Sequence, residues 1–295
     1  MSIDAFSLYF GQLEDPRQSA KVSYPLFDIL FLTVCATISG ANGWENIEDF
    51  AEAHQDWFLK KGLFTLGFPV HDTIARVISR LDPKAFEQCF IDWMQAVSSR
   101  TNGELITIDG KVLRGSYNRG ERRSAIHIVS AFSSVNGIVL GQVKTDAKSN
   151  EITAIPELIK LLDIKGCLIS IDAIACQTEI AKTIVDNGGD YLLAVKGNQA
   201  KLLTGIKEHL SIDFDATKLA FEQHHGRTEA RGYHVFNSDS LSKTFPQWKG
   251  LKTIGIAMSY RLEKSGKESL DYRYYISSAE LTEERFAGAV RNHWG

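Results

Sequence analysis

No Cys-x-x-Cys pair occurs anywhere in the sequence, and the four cysteines (Cys35, Cys89, Cys167 and Cys176) stand far apart. That excludes a zinc ribbon or a dense disulfide framework and leaves the thiols as small buried residues. No long apolar run is present either. The longest, "ILFLTVCATI" (29–38), falls well short of the roughly 20 residues a bilayer demands and reads as part of a buried helix. The opening "MSIDAFSLYF" has no basic stretch and no cleavage pattern, so a cytoplasmic protein with no membrane partner is expected. Excess basic charge is also missing. A net charge of −3 argues against coating nucleic acid by charge alone. Internal repeats, low-complexity tracts and sustained heptads are absent as well.

What is present is an ordinary globular composition, 44% hydrophobic and 23% charged, over a length sufficient for two domains. Residues 1–100 hold 8 basic and 13 acidic side chains. They read as helical. Ile74, Val77, Ile78 and Leu81 fall at i, i+3, i+4 and i+7, and a second helix restarts at Asp82 (cap) and Pro83 (first position), with Phe86, Cys89, Phe90, Trp93 and Val97 as its stripe. So short a connection suits either a helix-turn-helix DNA reader or plain packing. The polar "SSRTNGE" (98–104) reads as the boundary to a second domain over 104–295.

From 104 the period changes. "ELITID", "AIHIVSAFS" and "GIVLGQVKT" are β-rich, the last two joined by a hairpin signal, "SVNG". A helix is expected at 151–162, capped by Asn150, with Ile152, Ile155, Leu158, Ile159 and Leu162 on one face. Strand 167–172, helix 177–187, strand 190–196 and helix 199–210 follow. Three strands, then helices alternating with strands, predict a mixed α/β sheet flanked by helices, in an order that matches the ribonuclease H-like fold. A β-rich insertion is expected over about 212–280, then a final helix capped by Thr282, with Phe286, Val290 and His293 on one face.

Two strands end alike, "LITIDGK" and "LISIDAIACQ", and the fold order sets the first and fourth strands side by side. Asp109 and Asp172 would then meet. Adjacent carboxylates repel unless a cation lies between them. A hard divalent ion, Mg²⁺ or Mn²⁺, satisfies both and leaves room for phosphate oxygens. A single Ile-Asp would read as a turn or cap residue; a pair in this strand order reads as a metal site for phosphodiester chemistry. The one strong basic cluster, "KVLRGSYNRGERR" (111–123), with five basic residues and one acidic, follows Asp109 directly. Lys111 and Arg114 are natural phosphate holders there, whereas Arg119, Arg122 and Arg123 suit a solvated loop equally well. Lys196, Asn198 and Gln199 lie just past a strand end, where ligands tend to bind. Arg227, Glu229 and Arg231 alternate in "HHGRTEAR", either as a DNA-contacting face or as an exposed ion-paired one. His225 suits a structural role, and Gln177 either steadies the site or caps the next helix.

The chain resembles bacterial insertion-sequence transposases of the DDE class, the H-repeat-associated group. The likeness is carried by "GWENIEDFAEAH", "PVHDTIARVISRL", "IDGKVLRGSY", "VKTDAKSNEITAIPELI", "IDAIACQ", "GGDYLLAVKGNQ", "HGRTEAR", "RYYISSAEL" and "RNHWG" in order along nearly the whole chain. The resemblance implies a ribonuclease H-like DDE catalytic domain behind a helical N-terminal domain. It implies divalent metal on Asp109 and Asp172, and cleavage of double-stranded DNA (transposon ends and target) with strand transfer. A homodimer follows by analogy. After the second aspartate this sequence has Ala175 where the group usually carries glycine, a mild change. The group's third acid is a glutamate shortly after His-Trp, which would fall two positions past Gly295. Glu283 and Glu284 lie about 20 Å upstream along a helix, too far to substitute. The resemblance thus implies a chain cut short and unable to cleave DNA, with a DNA-binding or oligomer-poisoning remnant as the alternative.

Overall fold

The structure, a computed structural model, describes residues 3–97, 103–112, 127–145, 151–210, 220–224, 227–262 and 268–294. The chain divides into two compact units, Met1–Val97 and Ser98–Gly295.

The regular elements described in the first unit are α1 (Ile3–Phe10), α2 (Leu26–Ile38), α3 (Trp44–Ala53), α4 (Gln55–Lys60), α5 (His71–Ile78) and α6 (Pro83–Val97), with one 3-10 turn at Ser19–Lys21. α2 is apolar on nearly all sides because it is central: Ile29, Leu30, Phe31 and Leu32 are all buried. Aromatic rings tie the helices together. Phe6 of α1 meets Phe31 of α2 at 5.3 Å and Trp93 of α6 at 5.5 Å, both edge-to-face. Asp28 is buried within α2, and its Oδ2 accepts the Phe64 N–H at 2.7 Å. That bond holds Phe64 at φ 56°, a left-handed conformation a phenylalanine rarely takes. α6 starts as the sequence predicts, with the Lys84 N–H donating to Asp82 Oδ1 at 3.0 Å ahead of Pro83. Ile74 and Val77 of α5 are buried, as their spacing requires, while Ile78 is only half-buried. α5 packs on α2 and α3, and α6 packs on α1.

The second unit is built on one sheet. Its strands are β1 (Leu105–Val112), β2 (His127–Ser133), β3 (Ile138–Thr145), β4 (Leu168–Ile171), β5 (Asp190–Val195), β6 (Ala220–His224), β7 (Arg227–Asn237), β8 (Thr253–Leu262) and β9 (Glu268–Ser277). Among the described residues their order is β3-β2-β1-β4-β5-β9-β8-β7-β6. β1, β4 and β5 run parallel and the other neighbours antiparallel. Helices α7 (Glu151–Leu161), α8 (Thr178–Asp186), α9 (Ala200–His209), α10 (Asp239–Thr244) and α11 (Glu283–Trp294) complete the unit. The first five strands and the helices between them form a ribonuclease H-like mixed sheet, and β6–β9 extend it on the β5 side.

β4 is buried at all four positions, which is why it reads as an apolar run interrupted only by the buried Ser170: parallel strands covered on both faces have no solvent side. Alternate residues serve opposite helices. Leu105, Leu168 and Leu192 join Phe286, Ala289 and Val290 of α11 in one core cluster. Ile108 and Ile171, of the other parity, line one cavity with Ile155 of α7. α11 is capped by Thr282, whose Oγ1 accepts the Arg285 N–H at 3.2 Å. The proposed cap of α7, Asn150, lies outside the described residues, and Ile152 is half-buried rather than core. Cys167 and Cys176 are buried, but Cys35 and Cys89 are only partly so, a correction to the reading of all four as core. Among the described residues no helix is long and apolar enough to cross a membrane.

Candidate active site

β1 and β4 pair in register through Leu105↔Leu168 to Ile108↔Ile171, so Asp109 and Asp172 are each the next residue beyond the last shared rung. Neighbouring strands lie about 4.8 Å apart, which sets the two aspartates side by side. They line one cavity of about 120 Å³ together with Ile108, Gly110, Glu151 and Ile174. Asp109 stays in strand geometry opposite Ser130 of β2, with its side chain 55% exposed. Asp172 leaves the sheet: its Oδ1 accepts the Ile174 N–H at 2.8 Å and caps the 3-10 turn Ala173–Ala175. The turn-cap reading of Asp172 is therefore borne out through one oxygen of its carboxylate.

Three further groups set the electrostatics. Lys111, two residues along β1 and on the same face, holds its Nζ 3.7 Å from Asp109 Oδ2 and offsets part of the carboxylate repulsion. His293 of α11 is held below the ordinary imidazole pKa by burial, while Asp109 and Asp172 both pull it upward. Its ring therefore lies within electrostatic reach of both carboxylates. The third is Glu151, the first residue of α7, buried to 6% exposure on the same cavity wall. A methyl group on Gly110 would come within 2.5 Å of the Glu151 Cδ, so the bare backbone at 110 is what admits that carboxylate. Among the described residues no three His, Cys, Asp or Glu side chains are grouped closely enough to hold a metal ion together.

The turn behind Asp172 is braced from β5. Asn198 Nδ2 donates to the Ala173 carbonyl at 2.6 Å and Gln199 Nε2 to the Cys176 carbonyl at 2.8 Å. Cys176 between them has its thiol pushed up to about 12 by burial, so it packs and does not react. Gln177 occupies the N-cap position of α8 without a side-chain cap bond.

The sequence-derived residues thus divide. Asp109, Asp172 and Lys111 meet in space. Lys196 is exposed at the carboxyl end of β5, the same sheet end. Asn198 and Gln199 direct their amides inward. Arg231 is exposed on β7, and Arg227 lies on the same strand; β7 stands five strands from β1, about 24 Å across the sheet. Arg114, Arg119, Arg122, Arg123 and His225 lie outside the described residues. Sequence reasoning missed Glu151 and His293 as site residues. Glu151 carried only the signal of an acidic helix start, and His293 that of an apolar helix face.

A mixed sheet of this order defines the ribonuclease H-like fold class. Residues 100–295 match the family described as Transposase DDE domain, and residues 8–94 the family described as DDE_Tnp_1-associated. The chain belongs to the DDE transposase family. It is 50% identical over 302 residues to the Escherichia coli O157:H7 transposase homologue YncI, covering 100% of this chain and 77% of that protein. It is 49% identical over 304 residues to YhhI of E. coli K12, a protein whose name places it among H repeat-associated transposases, covering 100% of this chain and 80% of that one. A cryo-EM structure of the piggyBac transposase synaptic complex with hairpin DNA aligns with 99% of this chain and 65% of its own, at TM-score 0.46 and 13% identity.

Proposed function

We propose that the cavity between Asp109 and Asp172 is the site at which intact members of this transposase family act on a DNA phosphodiester, in cleavage and strand transfer. The observation that carries the reading is the parallel β1–β4 register, which delivers two carboxylates to one water-accessible cavity. The DDE family works with divalent metal. The donor set fits such an ion: two hard oxygen ligands, one of them half exposed, suit Mg²⁺ or Mn²⁺, which retain waters and accept phosphate oxygens as further ligands. Bound there, the ion supplies charge stabilisation and an activated oxygen nucleophile for an in-line displacement.

The rest is done by this chain's own side chains. Lys111 lies beside Asp109 and is placed to receive a nonbridging phosphate oxygen, and Lys196 extends the cationic edge at the carboxyl end of β5. Asn198 and Gln199 serve as positioning residues, since their bonds to the 173–176 turn fix where Asp172 points. The half-buried, neutral-leaning His293 flanks the site on the α11 side. Arg227 and Arg231, remote from the carboxylates, fit a separate contact along the DNA. The partners are the duplex ends of the element and its target, held by two copies of the chain.

The test pairs Mn²⁺ titration calorimetry on the full chain with a nicking assay on supercoiled DNA. Asp109→Asn and Asp172→Asn should each abolish most metal binding while leaving the fold intact by circular dichroism. Metal binding unaffected by both substitutions would remove the basis of the assignment. DNA binding without nicking would leave the chain as a binding protein.

A further inference from the structure

The first unit holds a cleft of about 530 Å³, and the segment 16–24 and α5 with its trailing turn form its walls. Its lining is chemically lopsided. Residues 1–100 are net acidic, with 8 basic and 13 acidic side chains, yet four of those eight cations face this one cleft: Arg17, Lys21, Arg76 and Arg80. Chance scattering over an acidic surface does not concentrate charge this way.

The four are not equivalent. Arg17 is tied down: its Nε and Nη2 donate to Asp15 at 2.9 and 2.7 Å, and Nη2 also donates to the Tyr24 carbonyl at 2.9 Å. The Arg17 guanidinium in turn holds the Asp15 carboxyl below its ordinary pKa, so the pair stays charged and mutually neutralised. Arg17 therefore shapes the 15–24 segment and contributes little net charge. Lys21, Arg76 and Arg80 are exposed, and among the described residues none of the three has a carboxylate within ion-pair distance. Thr73, Arg76, Val77 and Arg80 recur at i, i+3, i+4 and i+7, one stripe along α5 and the turn after it. Basic residues at a helix C-terminus commonly offset its dipole, but that leaves unexplained why Lys21 converges on the same space from a distant segment.

The rest of the lining favours phosphate oxygens. Gln18, Ser23, Tyr24 and Thr73 offer hydroxyl and amide donors, and no acidic side chain is among the lining residues. At about 30 Å³ per water the cleft has room for more than a dozen waters, beyond what a single phosphate fills. We propose that this cleft binds successive phosphates of a DNA backbone, with Lys21, Arg76 and Arg80 as the charge contacts and Arg17 as the positioning residue. The proposal rests on the reading of the chain as a DNA-binding transposase, but not on the carboxylate site.

The experiment is fluorescence anisotropy of the full chain carrying Asp109→Asn, in EDTA, on a labelled 30-base-pair duplex across a salt series. The slope of log affinity against log salt counts phosphate contacts at about 0.9 each. Arg76→Ala/Arg80→Ala should flatten the slope by about two and weaken low-salt binding roughly tenfold or more. Arg76→Lys/Arg80→Lys should retain most of the slope, and Lys84→Ala, outside the cleft, all of it. Circular dichroism melts confirm folding, and the Lys pair keeps the test valid if the Ala pair is destabilised. An unchanged slope in the Ala pair overturns the cleft while leaving DNA binding elsewhere intact; no DNA binding by any form overturns the cleft and the DNA reading together. A parallel arm titrates inorganic phosphate at fixed ionic strength. Saturable phosphate binding lost in the Ala pair, with the DNA slope unmoved, would mark a small-anion site and refute the backbone assignment.

Discussion

Gly255 sits in β8 directly beneath Phe286, the fully buried ring by which α11 grips the sheet. A Cβ built at 255 lands 2.5 Å from both Cε2 and Cζ of that ring. Carbon atoms settle at about 3.5–4.0 Å, so the ring or strand must retreat by about 1 Å or more. The ring has little freedom to do so, since Tyr275 meets it at 5.3 Å and Tyr233 at 6.1 Å, both edge-on. Gly255 is not among the positive-φ glycines, so alanine carries no backbone strain there and gains a little by restricting the unfolded chain. Overpacking costs about 1–3 kcal/mol. Set against the backbone gain, Gly255→Ala should destabilise the second unit by about 1–2 kcal/mol. Phe286→Ala alone should cost about 3–5 kcal/mol through the cavity it leaves. In that background the new methyl enters the vacated space, and Gly255→Ala should be neutral or slightly stabilising. The two substitutions should therefore couple by about 1–3 kcal/mol, well above the ~0.5 kcal/mol scatter of independent sites. Because a two-unit chain need not unfold in one step, hydrogen exchange of the β8 and β9 amides is the suitable readout. Equal costs for Gly255→Ala with and without Phe286 would refute the packing account.

Three further outcomes are expected. Burial raises the Asp28 pKa, outweighing the Phe64 N–H bond that lowers it. The folded state thus holds that proton more tightly than the unfolded chain, and this contribution is complete below about pH 3.9 and lost as pH rises through the folded value. Asp28→Asn keeps an oxygen acceptor for Phe64, so it should raise the first unit's thermal stability at pH 7 and flatten its pH dependence above pH 4, whereas Asp28→Ala should lose about 1–3 kcal/mol. Buried Ser278 accepts the Tyr191 N–H at 3.0 Å and donates to Asp190 Oδ1 at 2.7 Å, so Ser278→Ala should cost about 1–3 kcal/mol by urea titration and speed exchange at the Tyr191 amide. Asp82→Ala removes the α6 cap and should cost about 1 kcal/mol, seen as fraying of the first α6 turn by amide exchange.

Much of the fold was legible because its signals are local. The β4 and β5 runs, the Thr282 and Asp82 caps and the stripe of α11 each lie within a dozen residues, the range over which side-chain period and backbone geometry are coupled. The strand order was legible too, because alternating helices and strands leave few ways to wind a sheet. Less legible was how β6–β9 relate to it: β9 pairs with β5 and carries the sheet onward, a choice made by long-range pairing.

The candidate site shows the same division. The two Ile-Asp ends, and the parallel pairing that joins them, follow from sequence pattern and fold order. That Glu151 lies over Gly110, that His293 is half-buried within reach of both aspartates, and that Asn198 and Gln199 brace a turn were settled only when the chain closed on itself. So was the meeting of Lys21 with Arg76 and Arg80 across more than fifty residues. Sequence period fixes which way a side chain leaves its own element; which element it then faces depends on packing between segments distant in the chain, and no local pattern encodes that.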